Sequence, residues 1–366
     1  MMRKKLTWML MIVMVAGLTA CSGSSEQTTT AAETEAVETV ETEVAETEAA
    51  ETEAAAVDTS DLQVVRIGTP ATGDQGARML EAARVAAEMQ YFEEELAACG
   101  YYPEYIGFDG AGPAVNEAMI SGDLDVAIYG DMPGLVLASK FDGVTYIAMD
   151  NSAVQQAIVV QKDSGITTAE DLVGKKVIAE TGTTCQKFLI SYLETAGLGE
   201  SDIEEISATT ANAQVEFAAG EVDAVVLPCM AAYRLVDEQD CGEILAVAGN
   251  EESLQSQYVV SARNEFLEEN HEAGVAIVKA LIRAQEYASE NPDAIYTLFE
   301  GSGYSADVYK SVYSFDTSFS YFDPEITDAC VEKLKSLNEY ALEKGLISQS
   351  VDIDAVVDTS YYEEAR

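Results

Sequence analysis

Histidine is almost missing from this chain: His271 is the single one among 366 residues. A zinc site built on several imidazoles is therefore excluded, and so is a Ser-His-Asp triad unless His271 serves it. His271 follows Glu268, Glu269 and Asn270 on a strongly polar helical stretch, which marks a solvated surface residue rather than a base. Cysteine is sparse, and none of Cys21, Cys99, Cys185, Cys229, Cys241 and Cys330 forms a C-x-x-C pair. Zinc-ribbon and thioredoxin-like readings thus lack support, and no metal or other cofactor is expected. The only tryptophan is Trp8. Basic residues are scarce too, 20 Lys and Arg against 65 Asp and Glu, for a formal net charge of −45. Phosphate binding needs a basic footprint, so nucleic acid is not an expected partner. Beyond residue 20 no apolar run approaches the ~20 residues that span a bilayer as a helix.

What is present starts with a basic head, Arg3, Lys4 and Lys5, followed by an apolar run from Leu6 to Leu18 and then Thr19-Ala20-Cys21. The run is too short to cross ~30 Å of hydrocarbon comfortably, and small residues just before a cysteine read as a bacterial lipoprotein signal. Residues 1–20 are then a removed signal peptide, and lipidated Cys21 anchors the mature chain to the extracytoplasmic face of the cell membrane. Residues 21–60 hold ten Glu and Asp58, no Lys or Arg and no aromatic residue, in repeated Glu-Thr-Glu-Ala units. Such a segment cannot bury a core, so an acidic disordered tether is expected. The remaining body still carries a charge of about −37.

From Val64 the pattern turns to short apolar strands alternating with helical stretches. Val64–Gly68, Tyr102–Phe108, Val126–Tyr129 and Val144–Met149 read as strands, and residues 77–98 as one amphipathic helix. The rhythm resumes at Ala157–Gln161, Lys176–Ala179, Ile203–Ala208, Ala224–Leu227 and Ile244–Ala248. After Tyr258–Ser261 it becomes mainly helical, with Asp323-Pro324-Glu325 placing an N-cap and a first-turn proline. This alternation predicts an α/β fold with mostly parallel sheets. One internal echo sharpens it: Ile120-Ser121-Gly122-Asp123-Leu124-Asp125-Val126 matches Ala218-Ala219-Gly220-Glu221-Val222-Asp223-Ala224 in type and order. Two α/β lobes around a central cleft account for the pair, residues 61–152 with 256–366 as lobe 1 and 153–255 as lobe 2. Crossovers near Asn151–Gln155 and Gly249–Gln257 would carry the hinge.

Open α/β sheets bind ligands beyond the carboxyl ends of their strands. The loops there are Thr69–Gln75 with Thr72, the helix entry Gly110-Ala111-Gly112-Pro113, Gly130-Asp131-Met132-Pro133, Thr181-Gly182-Thr183-Thr184 and Pro228-Cys229-Met230. Gly182 with the hydroxyls of Thr183 and Thr184 suits a carboxylate, sulfonate or phosphate at a helix N-terminus; the other use of threonine there is to cap the helix. Asp131 could pair with an ammonium group or cap its own helix ahead of Pro133. Both functional readings together would suit a zwitterion.

These residues, in this order, resemble ABC-transporter solute-binding proteins, closest to the aliphatic-sulfonate, taurine and nitrate group. The resemblance rests on the lipobox, the strand Val65–Gly68, Tyr91-Phe92-Glu93-Glu94-Glu95, Gly107–Pro113, Ser121–Asp125 and Tyr129–Pro133. It extends through Ile166–Val177, Thr181-Gly182-Thr183 and Val351–Asp358. It implies a type II periplasmic-binding-protein fold, a monomer that holds a small-molecule solute between two lobes and delivers it to an ABC permease and its ATPase, and no catalysis. It also implies that the loops matching Gly110–Pro113, Asp131 and Thr181–Thr184 line the pocket, to which Thr72, Met132 and Cys229 are added from their loop positions. The ligand it implies is sulfonate- or taurine-like; the alternatives are a thiamine-pyrimidine precursor or other small heterocycle, or a nitrate-like anion. The related pyrimidine-precursor synthases of thiamine biosynthesis carry a cysteine-dense motif and an active-site histidine that this chain lacks.

Overall fold

The computed structural model describes residues 61–70, 79–108, 111–249, 251, 253–300 and 303–366. The leader, Cys21, the acidic tether, Thr72 and Gly110 lie outside the described residues. Among the described residues ten strands occur in chain order: β1 Gln63–Pro70, β2 Tyr101–Phe108, β3 Val126–Gly130, β4 Val144–Val154, β5 Gln156–Val160, β6 Lys176–Ile178, β7 Glu204–Ile206, β8 Ala224–Pro228, β9 Glu243–Val247 and β10 Ser256–Arg263. They build two five-stranded sheets, ordered β2-β1-β3-β10-β4 and β7-β6-β8-β5-β9.

The two sheets share one plan. In each, three strands run parallel, and a fourth lies antiparallel between the third and the edge strand. That antiparallel strand is always the one that has just arrived from the other sheet: β5 follows β4 across one residue, and β10 returns after β9. The chain crosses twice.

The sequence echo occupies equivalent places in this plan. Gly122 and Gly220 end their helices with φ of +84° and +73°, a region open to glycine at little cost. The acidic residue just before each following strand does the same work in both sheets. Asp125 accepts from the Arg66 backbone amide of β1 at 2.8 Å, and Asp223 from the Lys176 amide of β6 at 2.9 Å. Each also donates its own amide to the carbonyl of that same residue. Asp125 adds Nε and Nη2 of Arg66 at 3.0 and 2.6 Å.

Two expectations are corrected. Residues 81–98 are two helices, Glu81–Glu88 and Tyr91–Ala98, because Gln90 turns left-handed at φ +60° and breaks the ladder. The break re-aims the second helix so that Phe92 and Leu96 reach the core. Asp323-Pro324-Glu325 does not open a helix either. Pro324 offers its carbonyl to the Met149 amide on β4 at 3.0 Å, and the helix starts at Asp328 under a Thr327 cap whose hydroxyl accepts from Cys330.

Valine, isoleucine and leucine from both faces of each sheet pack with the helices into apolar cores. An aromatic group within the main core, among it Tyr296, Phe299, Tyr309, Tyr313, Phe319 and Phe322, packs ring against ring. Replacing Asp125 with Ala should cost about 1.5–3 kcal/mol in urea unfolding, since several charge-assisted bonds to one carboxylate go at once. Asp223→Ala should cost less, because its side chain is 40% exposed and water replaces what is lost.

Candidate functional site

The two crossings run side by side and are tied by side chains. Gln155, the single residue between β4 and β5, donates to the Gly249 carbonyl at 3.0 Å and accepts from the Gly249 amide at 2.5 Å. Gln255 adds a bond to the same carbonyl at 2.7 Å. Lys333, on the helix Asp328–Glu343, reaches the Ser152 carbonyl and Gln255 at 3.1 and 3.2 Å.

Beside these crossings lies a cavity of about 30 Å³. The first sheet and its helices contribute Glu81, Asn151, Tyr258 and Tyr313, and the second contributes Pro228, Cys229 and Met230. The lobes also touch where Thr184 approaches Gly130: a Cβ on Gly130 would stand 3.2 Å from the Thr184 methyl.

Helix N-termini converge on this region, and their orphan amides attract negative charge. Two are already served by the chain's own carboxylates. Asp150, with no exposed surface, accepts from the Ala83 amide at 2.6 Å in the first turn of Glu81–Glu88. Asp131 begins the helix Asp131–Ala138, accepts from the Met132 amide at 2.8 Å and from the Gln257 amide on β10 at 3.0 Å, and is 1% exposed. Burial pushes both carboxyls above the ordinary carboxylate range; for Asp131 the charge of Lys187 opposes the shift, and for Asp150 the neighbouring Glu81 adds to it. Glu81 is raised by burial as well, against hydrogen bonds from Tyr313 and Asn151. The helix Thr184–Thr195 differs: no side chain caps it, and Thr183 instead donates to the Glu180 carbonyl at 2.6 Å.

The expected site residues are scattered by this geometry. Gly182 takes φ +75° and gives its amide to Gln186 at 2.9 Å. Thr181 is exposed, with its amide on the Ser207 hydroxyl at 3.2 Å. Thr184 accepts from Gln156 at 3.3 Å. Gly112 serves packing, since a Cβ there would stand 2.3 Å from the Pro133 Cβ; Ala111 opens the helix Ala111–Ser121 just before it. Met132 is a correction: it is fully buried among Leu135, Tyr146 and Val259, so its side chain fills the core rather than facing the cavity. Cys229 does line the cavity. Its thiol is pushed far up by burial, and that of Cys185 to about 12, so both stay protonated at neutral pH. His271 sits apart, bonded to Glu364 at 2.9 Å and tilted against Tyr361.

The sequence alone does not single out Glu81, Asp150, Asn151, Tyr258 and Tyr313: Glu81 falls in an amphipathic stretch and Asn151 in a crossover. The crowding of Tyr304, Tyr309, Tyr313, Phe315, Phe319, Tyr321 and Phe322 into 19 positions was the signal that an aromatic wall was coming.

A carboxyl whose pKa is higher in the folded than in the unfolded state favours the fold fully below its unfolded pKa and loses that advantage as pH rises through the folded value. Asp150 should thus make the protein less stable as pH climbs from the acid range past 4. Asp150→Asn keeps an oxygen for the Ala83 amide and should flatten that fall, with a higher Tm than wild type at pH 7–8 in a thermal-unfolding series.

Known proteins share this arrangement. A periplasmic sulfonate-binding protein of Methylobacillus flagellatus superposes with a TM-score of 0.72 at 24% identity, over 83% of this chain and 94% of that one. A Bacillus subtilis protein named for aliphatic sulfonate binding is 23% identical over 319 residues, 84% of this chain and 90% of its own length. An Escherichia coli protein of the same description is 32% identical over 115 residues, so the chain spans about a third of that relative, 36% of its length. The fold is that of the periplasmic binding proteins. The model of the NMT1/THI5-like family matches residues 85–295, more than half of the sequence, and the chain belongs to that family.

Proposed function

We propose that this protein is the solute-receiving component of an ABC importer. It takes a small organic sulfonate between its two lobes and hands it to a membrane permease and the permease's ATPase. The observation that carries the ligand class is the contrast among helix N-termini: where Asp150 and Asp131 fill two of them, Thr184–Thr195 is left uncapped and faces Gly130 of the other lobe. An uncapped N-terminus in a partly dry cleft is a ready receiver for a sulfonate oxygen set. Ligand binding would shift an open–closed equilibrium about the Gln155 and Gly249 crossings, and the closed form would be what the permease recognises.

Catalysis has little to work with in this cleft. The thiols of Cys185 and Cys229 are held protonated, and the sole histidine is engaged with Glu364. Lipid attachment at Cys21 would hold the receptor, as a monomer on its acidic tether, close to the permease at the outer face of the cell membrane. A second reading draws on Tyr258 and Tyr313: two rings at the cavity would also suit a flat heterocycle such as a thiamine-pyrimidine precursor.

A thermal-shift and calorimetric screen of alkanesulfonates, taurine and an aminopyrimidine separates the two. A sulfonate at 100 times its Kd should stabilise the fold by about 2.7 kcal/mol. No stabilisation by any sulfonate at millimolar concentration, with a shift by the pyrimidine, would overturn the first reading in favour of the second. Thr184→Tyr, which fills the space beside Gly130, should weaken sulfonate binding more than tenfold with little change in Tm. For the anchor, Cys21→Ser should move the protein from the membrane fraction to the soluble fraction and stop incorporation of labelled fatty acid; a variant still lipidated would refute the anchor.

A further inference from the structure

On the lobe 1 wall of the cavity stands a carboxylate with room in front of it. Glu81 opens its helix at φ +52°, and its Oε2 accepts from Asn151 Nδ2 at 3.1 Å and from the Tyr313 hydroxyl. Its Oε1 has no hydrogen-bond partner among the described residues. Behind it Asp150, with no exposed surface, gives Oδ1 to the Ala83 amide and leaves Oδ2 without a partner. No Lys or Arg pairs with either carboxyl among the described residues. Asp150 is fully buried and Glu81 partly so; two carboxyls so placed are costly, and a cation in the cavity would offset that cost. Tyr258 and Tyr313 line the same space, and aromatic faces attract a cation. The space, about 30 Å³, is large enough to take a primary ammonium head.

We propose that Glu81, backed by Asp150 and flanked by Tyr258 and Tyr313, is the subsite for the primary ammonium group of a small zwitterionic solute. The proposal rests on the cleft being a solute site and deepens it: the ligand is an amino-sulfonate or a close amino acid analogue, with its anionic end toward Thr183–Cys185. Among the described residues, the titratable groups facing Glu81 are Asp150 on β4, Tyr258 on β10, Cys229 just after β8, and Tyr313 and Tyr321 from the aromatic cluster, and none of these supplies a positive charge. Burial holds the Glu81 carboxyl above its ordinary range, so an arriving ammonium favours the ionised form and a proton leaves to solvent. Amine affinity should then rise with pH across the range where free Glu81 titrates.

Calorimetry on the whole protein with taurine, ethanesulfonate, β-alanine and ethanolamine tests this, run between pH 5 and 8 in two buffers of different ionisation heat. Taurine should bind at least ~10-fold more tightly than ethanesulfonate, as expected for one charge-assisted bond. Only the amines should release a proton. Glu81→Gln should bring taurine to the level of ethanesulfonate and abolish that release. Should Glu81→Gln not fold, Asp150→Asn should still weaken taurine several-fold relative to ethanesulfonate. Equal affinity for taurine and ethanesulfonate, or discrimination that survives both substitutions, overturns the subsite. If no sulfonate binds, the sulfonate reading falls, and β-alanine and ethanolamine decide the subsite alone. Amine binding lost in Glu81→Gln supports it, and no binding by any amine overturns it.

Discussion

Gln155 is the residue on which the two-lobed arrangement turns. A chain that leaves one sheet and enters another must interrupt both ladders, and the backbone groups stranded there need partners if they are buried. Gln155 does this with one planar amide, giving and receiving hydrogen bonds at Gly249 on the opposite crossing. Gly249 in turn accepts Gln255, and Lys333 links Gln255 to the Ser152 carbonyl. The two crossings are therefore tied to each other. One apolar cluster, with Ile67 and Val126 of the first sheet and Val159 and Val225 of the second, continues across both sheets.

The clasp also determines what reaches the cleft. β4 runs five residues past Met149, through Asp150 and Asn151, and this extension brings two polar side chains under the first helix. Asp150 caps that helix and Asn151 holds Glu81. Across the cavity the second lobe offers apolar Pro228 and Met230, a protonated thiol and an uncapped helix end. One wall is acidic and aromatic, the other neutral with a positive dipole end. A chain of net charge −45 gains little at long range from this contrast, because salt screens its field within ~8 Å. Inside the cleft, where water is scarce, the contrast is what a ligand meets.

Much of the fold was legible because its signals are local. Apolar runs bounded by polar turns marked nearly every strand to within a few residues, and the two Gly-acid-apolar-Asp segments proved to hold equivalent positions, down to Asp125 and Asp223 binding the same amide of a neighbouring strand. The failures were local conflicts settled by distant partners. Gln90 breaks a helix that its composition would continue, since the packing of Phe92 and Leu96 is better served by a new direction. Pro324 resembles a helix start but is needed as an acceptor at the edge of β4. Met132, adjacent to a cleft-facing helix start, turned inward because a long apolar side chain gains more in the core than at a polar rim.

By itself the sequence determined the class of protein: few bases, no catalytic histidine set, and an α/β rhythm repeated in two halves. Periodicity, charge and spacing suffice for these, because each is a property of residues close together in the chain. The composition of the cleft was decided only by tertiary structure. Glu81, Asn151, Tyr258 and Tyr313 are separated by up to 232 residues, and no motif joins them. Their chemistry exists only once two crossings and a C-terminal aromatic cluster have placed them around one small cavity.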